Sequence, residues 1–265
     1  MISPVTNPYL FEDPRAVTEI RPTVMYQRIP SGQPNFQGGH LWYFGGSARW
    51  ALNEQWSVTL NKLGAVSVSP GSGSGMPSEL GFGEIHIGPK FTFLRNSETQ
   101  TIMATGVIFQ IPFGSSSVYQ DTGKLSLVPY LTGAKTLFDS PIGNVNGVAT
   151  AGYSFSINHD RNDYFYTSGN INLDIGNMHR FYPLIEMNYF LTTTPPPPPP
   201  GFNFDGRDFA NIGGTSKGAN MLTAAFGGRF KISERAQIGA AYELPVMGNR
   251  DLFKYRFTVD FILRF

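Results

Sequence analysis

No cysteine occurs in the 265 residues, which excludes a disulfide scaffold and thiolate metal sites. Charge is scarce too: Asp, Glu, Lys and Arg make up 15% of the chain, against about 25% in an average soluble domain. The charges nearly balance, 20 Lys and Arg against 19 Asp and Glu. No basic run is present to track a phosphate backbone, so nucleic acid is not an expected partner. No run of 18 or more consecutive apolar residues exists, which excludes membrane-spanning helices. The 30 glycines and 20 prolines exclude long helices of any kind. Two architectures survive: a turn-rich soluble β protein, or a closed barrel, the other way a chain can cross a bilayer.

Aromatic residues are plentiful, at 14% with 22 phenylalanines, and they recur with period two. At the C-terminus Phe253, Tyr255, Phe257, Val259, Phe261, Leu263 and Phe265 alternate with Lys254, Arg256, Thr258, Asp260 and Arg264. A strand sends successive side chains to opposite faces, so this pattern describes a sheet with one greasy and one wet face. The alternation runs about three times as long as a usual soluble strand and suffices to cross a bilayer at a tilt. Similar segments fill the chain from Arg15 onward and number about twelve, an even count as single-chain bacterial barrels require. Connections alternate between brief links, such as Asn53 to Gln55 and Asn96 to Thr99, and longer ones, which is the rhythm of a transmembrane meander.

The expected fold is therefore all-β: a transmembrane antiparallel up-and-down barrel of about twelve strands over residues 16–265. The long Pro-rich stretch 192–219, with the run Pro195 to Pro200, reads as an extracellular loop rather than a linker, because the chain beyond it is too short to bury a core. Residues 1–15 carry Pro4, Pro8 and Pro14 and read as an extended periplasmic strap. This opening lacks the basic and apolar regions of a secretory leader, so the membrane reading expects a mature or trimmed form. Both termini are expected on the periplasmic side of a bacterial outer membrane, with outer-membrane lipid and lipopolysaccharide around the barrel.

Read strand by strand, the lipid face includes Phe44, Trp50, Trp56, Phe93, Phe181, Phe226 and Phe230. The inward face carries the charge. Arg21, Arg49, Lys90, Arg229, Lys254 and Arg256 are expected to supply a field in the lumen, with His86 among them, while Glu84, Glu186 and Glu243 pair with and orient them. Inward cations outnumber inward carboxylates in this register, which favours anionic or carboxylate-bearing solutes. Lys62 would fall mid-strand on the lipid side at a cost of about 2 to 4 kcal/mol, so a β-bulge is expected between Asn61 and Gly64. Lys135 also points outward, but near a strand end where it can snorkel.

The final strand resembles the C-terminal signal by which bacterial outer-membrane barrels are recognised for assembly, with Phe265 last and Leu263, Phe261, Val259 and Phe257 at alternate positions before it. The resemblance implies the barrel-assembly machinery as a partner. More broadly, Glu19-Ile20-Arg21-Pro22, the segment Gly88-Pro89-Lys90 and the small-residue and Tyr alternation of Gly147 to Ser156 resemble the outer-membrane transporters of the phenol-degradation meta-pathway family. That resemblance implies passage of small hydrophobic or aromatic solutes.

Catalysis finds little support. None of His40, His86, His159 and His179 sits in a Ser/His pattern, His159 with Asp160 and Asp163 reads as a solvated loop, and Gly71 to Gly75 and Gly213 to Gly218 lack the ending of a phosphate loop. No metal and no cofactor are expected. Twelve strands lie between filled small barrels and open porins, so a narrow or partly plugged conduit for a small-molecule solute is the expected function, constricted by the N-terminal strap or by an inward fold of the Pro-rich loop. The alternative is a closed structural or surface-binding barrel acting through its long extracellular loop.

Overall fold

Period-two alternation becomes long antiparallel strands in the computed structural model, which describes residues 1–195, 216–248, 250 and 252–265. They are β1 (Glu19–Arg28), β2 (Gly39–Ala51), β3 (Trp56–Pro70), β4 (Glu79–Phe82), β5 (Ile85–Asn96), β6 (Thr101–Ile111), β7 (Ser126–Ser140), β8 (Gly143–Ser156), β9 (Asp163–Ile175), β10 (Phe181–Thr194), β11 (Asn220–Lys231), β12 (Ala236–Gly248) and β13 (Tyr255–Arg264). Strands pair in sequence order, and β1 also pairs with β13, Ile20 opposite Leu263 and Thr23 opposite Asp260, so the sheet closes on itself. The short β4 and β5 lie end to end along β3: Ala65 to Val68 pair with β4, and Trp56 to Asn61 with β5. Together they form one stave of a closed 12-strand barrel.

Parity divides the wall. Phe44, Trp50, Trp56, Phe93, Ile185, Phe226 and Ile238 lie on the outside with large exposed surfaces. A soluble sandwich would bury such residues against a second sheet, but here the sheet closes and, among the described residues, no other layer covers them. An apolar belt of this size belongs against lipid, as in a transmembrane barrel. Aromatics gather at both rims. At the long-loop end Tyr26 packs on Trp42 with ring centroids 4.8 Å apart, and Tyr242 on Phe257 at 4.6 Å. At the short-turn end Trp56 packs on Phe91 at 4.7 Å. Rings of this kind settle at the two interfaces of a bilayer.

The wall is irregular at Lys62. Gly46 pairs with Leu63 and Ala48 with Leu60, so two residues of β3, Asn61 and Lys62, oppose one of β2. This is the expected bulge. Lys62 takes a left-handed φ of 59°, uncommon for a residue with a Cβ, and its side chain turns inward. Lys62 is consequently buried beside Asn61, and its ammonium meets the Glu84 carboxylate at 2.8 Å. The backbones of β2 and β3 approach so closely there that a Cβ at Gly64 would stand 2.4 Å from Gly45 Cα. Lys135 stays exposed on the outer face, one strand pair from the turn that begins β6.

The C-terminal alternation is shorter than the sequence suggests. β13 begins at Tyr255, and both Leu252 and Phe253 are buried inside the barrel while Lys254 is exposed. The segment before β13 bends over the lumen, which places consecutive residues on one side. Lys254 is therefore not a lumen residue, and Phe253 is not a lipid-facing one. Of the Pro-rich stretch, residues 196–215 lie outside the described residues, as does Gly213.

Candidate functional site

Residues 1–15 lie within the barrel, not beside it. Ile2, Val5, Tyr9, Leu10 and Phe11 are at most 2% exposed, and the segment runs up the lumen from the short-turn end, reverses at Asn7 to Phe11, and returns to β1. The reversal is closed by bonds from the Leu10 and Phe11 amides to the Asn7 carbonyl, at 3.1 and 2.9 Å. Asn7 takes a left-handed φ of 48°, which asparagine tolerates better than most residues. A chain buried without strand pairing must satisfy its polar backbone some other way. Pro4, Pro8 and Pro14 bring no donors, and the wall supplies partners for much of the rest.

Three wall stations hold this plug. Glu186 on β10 accepts the Val5 and Thr6 amides at 2.8 and 2.6 Å and is oriented by the Asn170 amide at 2.7 Å. Asp260 on β13 lies between Arg21 of β1, whose Nε donates at 2.8 Å, and Arg229 of β11, whose two terminal nitrogens donate at 2.7 and 2.8 Å. Arg21 Nη2 and Arg229 Nε and Nη2 also reach the carbonyls of Ser3, Pro4 and Val5. Arg49 on β2 pairs with Glu19 at 2.7 Å and with Glu12 of the plug at 3.3 Å, while Lys90 on β5 donates to the Asp13 carbonyl at 2.6 Å. Asp13 is fully desolvated, which pushes its carboxyl up, but the Arg15 guanidinium, with Arg49 and Arg264 behind it, holds it well below the usual carboxylate range.

A fourth cluster sits higher, where the interrupted stave leaves Glu84 turned inward. Glu84 meets Lys62, the His86 Nε2 at 3.0 Å, and Arg161 from the connection before β9. Lys62 also lies 5.3 Å over the Tyr9 ring at the top of the plug. Removing one member of a buried ionic group costs up to about 3–5 kcal/mol, less here because Arg161 still compensates Glu84. Lys62→Met is therefore expected to lower the temperature at which the detergent-extracted barrel loses its compact electrophoretic mobility; an unchanged transition would show that the bulge serves no ionic purpose.

Arg21, Arg49, Glu84, His86, Lys90, Glu186, Arg229, Glu243 and Arg256 all face the lumen and are at most 3% exposed. The structure brings them into ion pairs and plug contacts instead of leaving them along an open bore. Arg256 donates to Gln27 at 3.0 Å and lies 3.6 Å from Glu243, which in turn accepts from Asn188 at 2.9 Å. Glu12 and Asp13 of the strap meet part of the wall's positive bias. Arg180 is exposed at the turn before β10, and Lys231 lies 5.2 Å over the Tyr182 ring.

Sequence reasoning missed the apolar half of the lumen. Toward the long-loop end Met25, Leu41, Tyr43, Val66, Val68, Ile108, Val128, Tyr164, Phe190 and Met221 point inward and form one cluster with Tyr9 and Leu10 of the plug. Ile29, Phe36, Val118, Leu252 and Phe253 from the longer connections close over it. In these stretches both faces of the strand are apolar, as in Leu41-Trp42-Tyr43-Phe44, so periodicity carries no inward signal. The interior is thus ionic where the plug enters and apolar above it.

The histidines are dispersed. His86 is buried on Glu84, His179 pairs with Asp174 at a short turn, the exposed His159 stands 3.6 Å from Asp163, and His40 lies against the Tyr26 ring. Among the described residues no serine hydroxyl bonds a histidine ring, and no cluster of His, Asp and Glu is arranged to hold a metal.

No family model and no curated protein matches the chain. Solved structures do match. The chain is similar in fold to the COG4313 outer membrane channel from Pseudomonas putida F1, at 12% identity and a TM-score of 0.62, over 100% of both chains. It is also similar to the KdgM porin, at 11% identity and a TM-score of 0.54, over 93% of this chain and 99% of that one, and to the NanC porin, at 7% identity and 0.51, over 94% and 98%. Identities this low establish the barrel fold and leave the phenol-degradation family a resemblance.

Proposed function

We propose that this chain is an outer-membrane channel for small solutes, held shut at rest by its own N-terminal segment. The observation that carries the reading is the manner in which the lumen is filled. The plug is held by side-chain hydrogen bonds and ion pairs, and it makes no strand pairing to the wall. Such contacts can be exchanged for water or solute without opening the barrel. The channel and porin neighbours support a conducting role, and the divided lumen supports solutes that are apolar or aromatic in body, anionic, or both. In this reading the short turns and both termini face the periplasm, the longer connections face outward, and lipid and lipopolysaccharide surround the belt. The alternating face of β13, from Phe257 through Val259, Phe261 and Leu263 to Phe265, is the strip offered to the barrel-assembly machinery.

The chain has no native cysteine, so a disulfide can be placed without ambiguity. Thr6 Oγ1 of the plug accepts from Asn188 Nδ2 of β10 at 3.0 Å. The double substitution Thr6→Cys, Asn188→Cys is expected to give a barrel that is electrically silent in planar bilayers when oxidised and that conducts after reduction. A barrel that conducts equally in both states would show that the plug does not gate it. One silent in both states would be a closed structural or surface-binding barrel.

A further inference from the structure

The geometry points to a binding station for small organic carboxylates in the lumen wall, which the chain fills with its own Glu12. This rests on the channel reading for its purpose, though not for its chemistry. The Glu12 side chain is fully buried, and its carboxylate accepts from Asn61 Nδ2 at 2.8 Å and Arg49 Nη2 at 3.3 Å, with Lys90 Nζ at 3.9 Å. Its backbone carbonyl takes the hydroxyls of Thr132 at 2.6 Å and Thr150 at 3.1 Å. The carboxylate's donors come from β2, β3 and β5 and the carbonyl's from β7 and β8, so rigid staves fix both ends of the residue. Arg49 also keeps an Nε–H without a hydrogen-bond partner among the described residues.

What makes this a receiving site is that its ligand belongs to the removable part of the molecule. With the plug withdrawn, Arg49 keeps Glu19, and Arg21 and Arg229 share Asp260, but Lys90 and Arg49 both lose the Glu12 carboxylate. Of the plug's two carboxylates, Asp13 pairs with Arg15 of the same segment, so Glu12 is the one that meets these wall cations. A desolvated guanidinium and ammonium that lose their anion are strongly unfavourable until another anion or water replaces it. A soluble carboxylate presents the same two oxygens as Glu12 and can make the same charge-assisted bonds. Next along the lumen stand Tyr130 and Tyr166 of the wall, part of the apolar cluster that Leu10 of the plug fills. A guest whose carboxylate sits on Arg49, Asn61 and Lys90 therefore has an apolar place for its body. Glu12 acts as a tethered competitor, and a carboxylate solute that displaces it loosens the plug.

The test is chemical rescue in the full-length chain. Glu12→Ala removes the carboxylate and leaves room for acetate. Its loss of compact electrophoretic mobility on heating is expected at a lower temperature than in the parent. Sodium acetate is expected to raise that temperature saturably, whereas acetamide and sodium chloride at matched ionic strength are not. Adding Arg49→Gln to the Ala variant is expected to abolish the acetate response. Equal responses to acetate and chloride, none to acetate, or one that survives Arg49→Gln would overturn the proposal.

Should Glu12→Ala fail to fold, the unmodified protein supplies a second measurement. The Val5 and Thr6 amides, held by Glu186, are expected to exchange hydrogen at least threefold faster with benzoate than with benzamide. Equal rates would overturn the proposal. Failure of the channel reading shows separately, as an absence of conductance, and affects neither of these measurements.

Discussion

Deleting residues 1–14 is expected to raise single-channel conductance by an order of magnitude or more over the intact chain, because those residues fill the lower lumen almost completely. In a twelve-strand barrel the bore lies between the filled interior of about eight strands and the open one of 16 to 18. Whether it conducts is therefore decided by its contents. The deletion exposes Arg21, Arg49, Lys90 and Arg229 to water. These groups tolerate exposure because hydration replaces the partners they lose. The current should also be anion-selective, read as a shift of reversal potential toward that of chloride across a salt gradient. An unchanged conductance would mean that the constriction lies instead in the apolar cluster and the connections folded over it.

The second large effect concerns stability. Asp260 is the shared partner of Arg21 and Arg229, all three fully buried, and the pair Arg21–Asp260 spans the junction of the first and last strands. Asp260→Asn keeps the shape but leaves two guanidinium groups without their anion. Removing one member of a buried ionic group typically costs about 3–5 kcal/mol. With two arginines affected, the upper end of that range is expected, read as a fall in the denaturant concentration at which the detergent-solubilised barrel unfolds. The plug should loosen as well, since both arginines reach the carbonyls of Ser3, Pro4 and Val5 through the same forks. A variant as stable as its parent would show that hydration reaches this triad and that its burial is incomplete.

The two architectural signals in the chain, alternation and turn spacing, are local, and they carried the barrel. Phe226 and Arg229 differ in polarity and in parity, and each ends on the side its character demands. The bulge at Lys62 was legible for the same reason, since a lysine out of phase with its neighbours marks a place where the phase must shift. Parity failed where both faces are apolar, as at Leu41 and Tyr43, and where the backbone leaves the strand, as at Phe253 and Lys254. The plug was legible only as one of two candidates, the strap or the Pro-rich loop, and for a different reason. Its proline-broken sequence has no period, and its partners are scattered, from Arg49 at 37 residues' separation to Glu186 at 180 and Arg229 at 226. The sequence marks it as extended; only the closed wall shows that it lies inside.

The order in which these contacts can form follows from where they sit along the chain. The plug is made first but its sockets are completed last, because Arg229 and Asp260 arrive with β11 and β13. Glu19 meets Arg264 across the same seam, at 2.9 Å. Joining the two ends of the sheet and seating the N-terminal segment thus draw on one set of charges. A barrel caught before its last strand docks would hold an unfilled, unbalanced interior, so the molecule has an internal check that it is whole before it can be quiet.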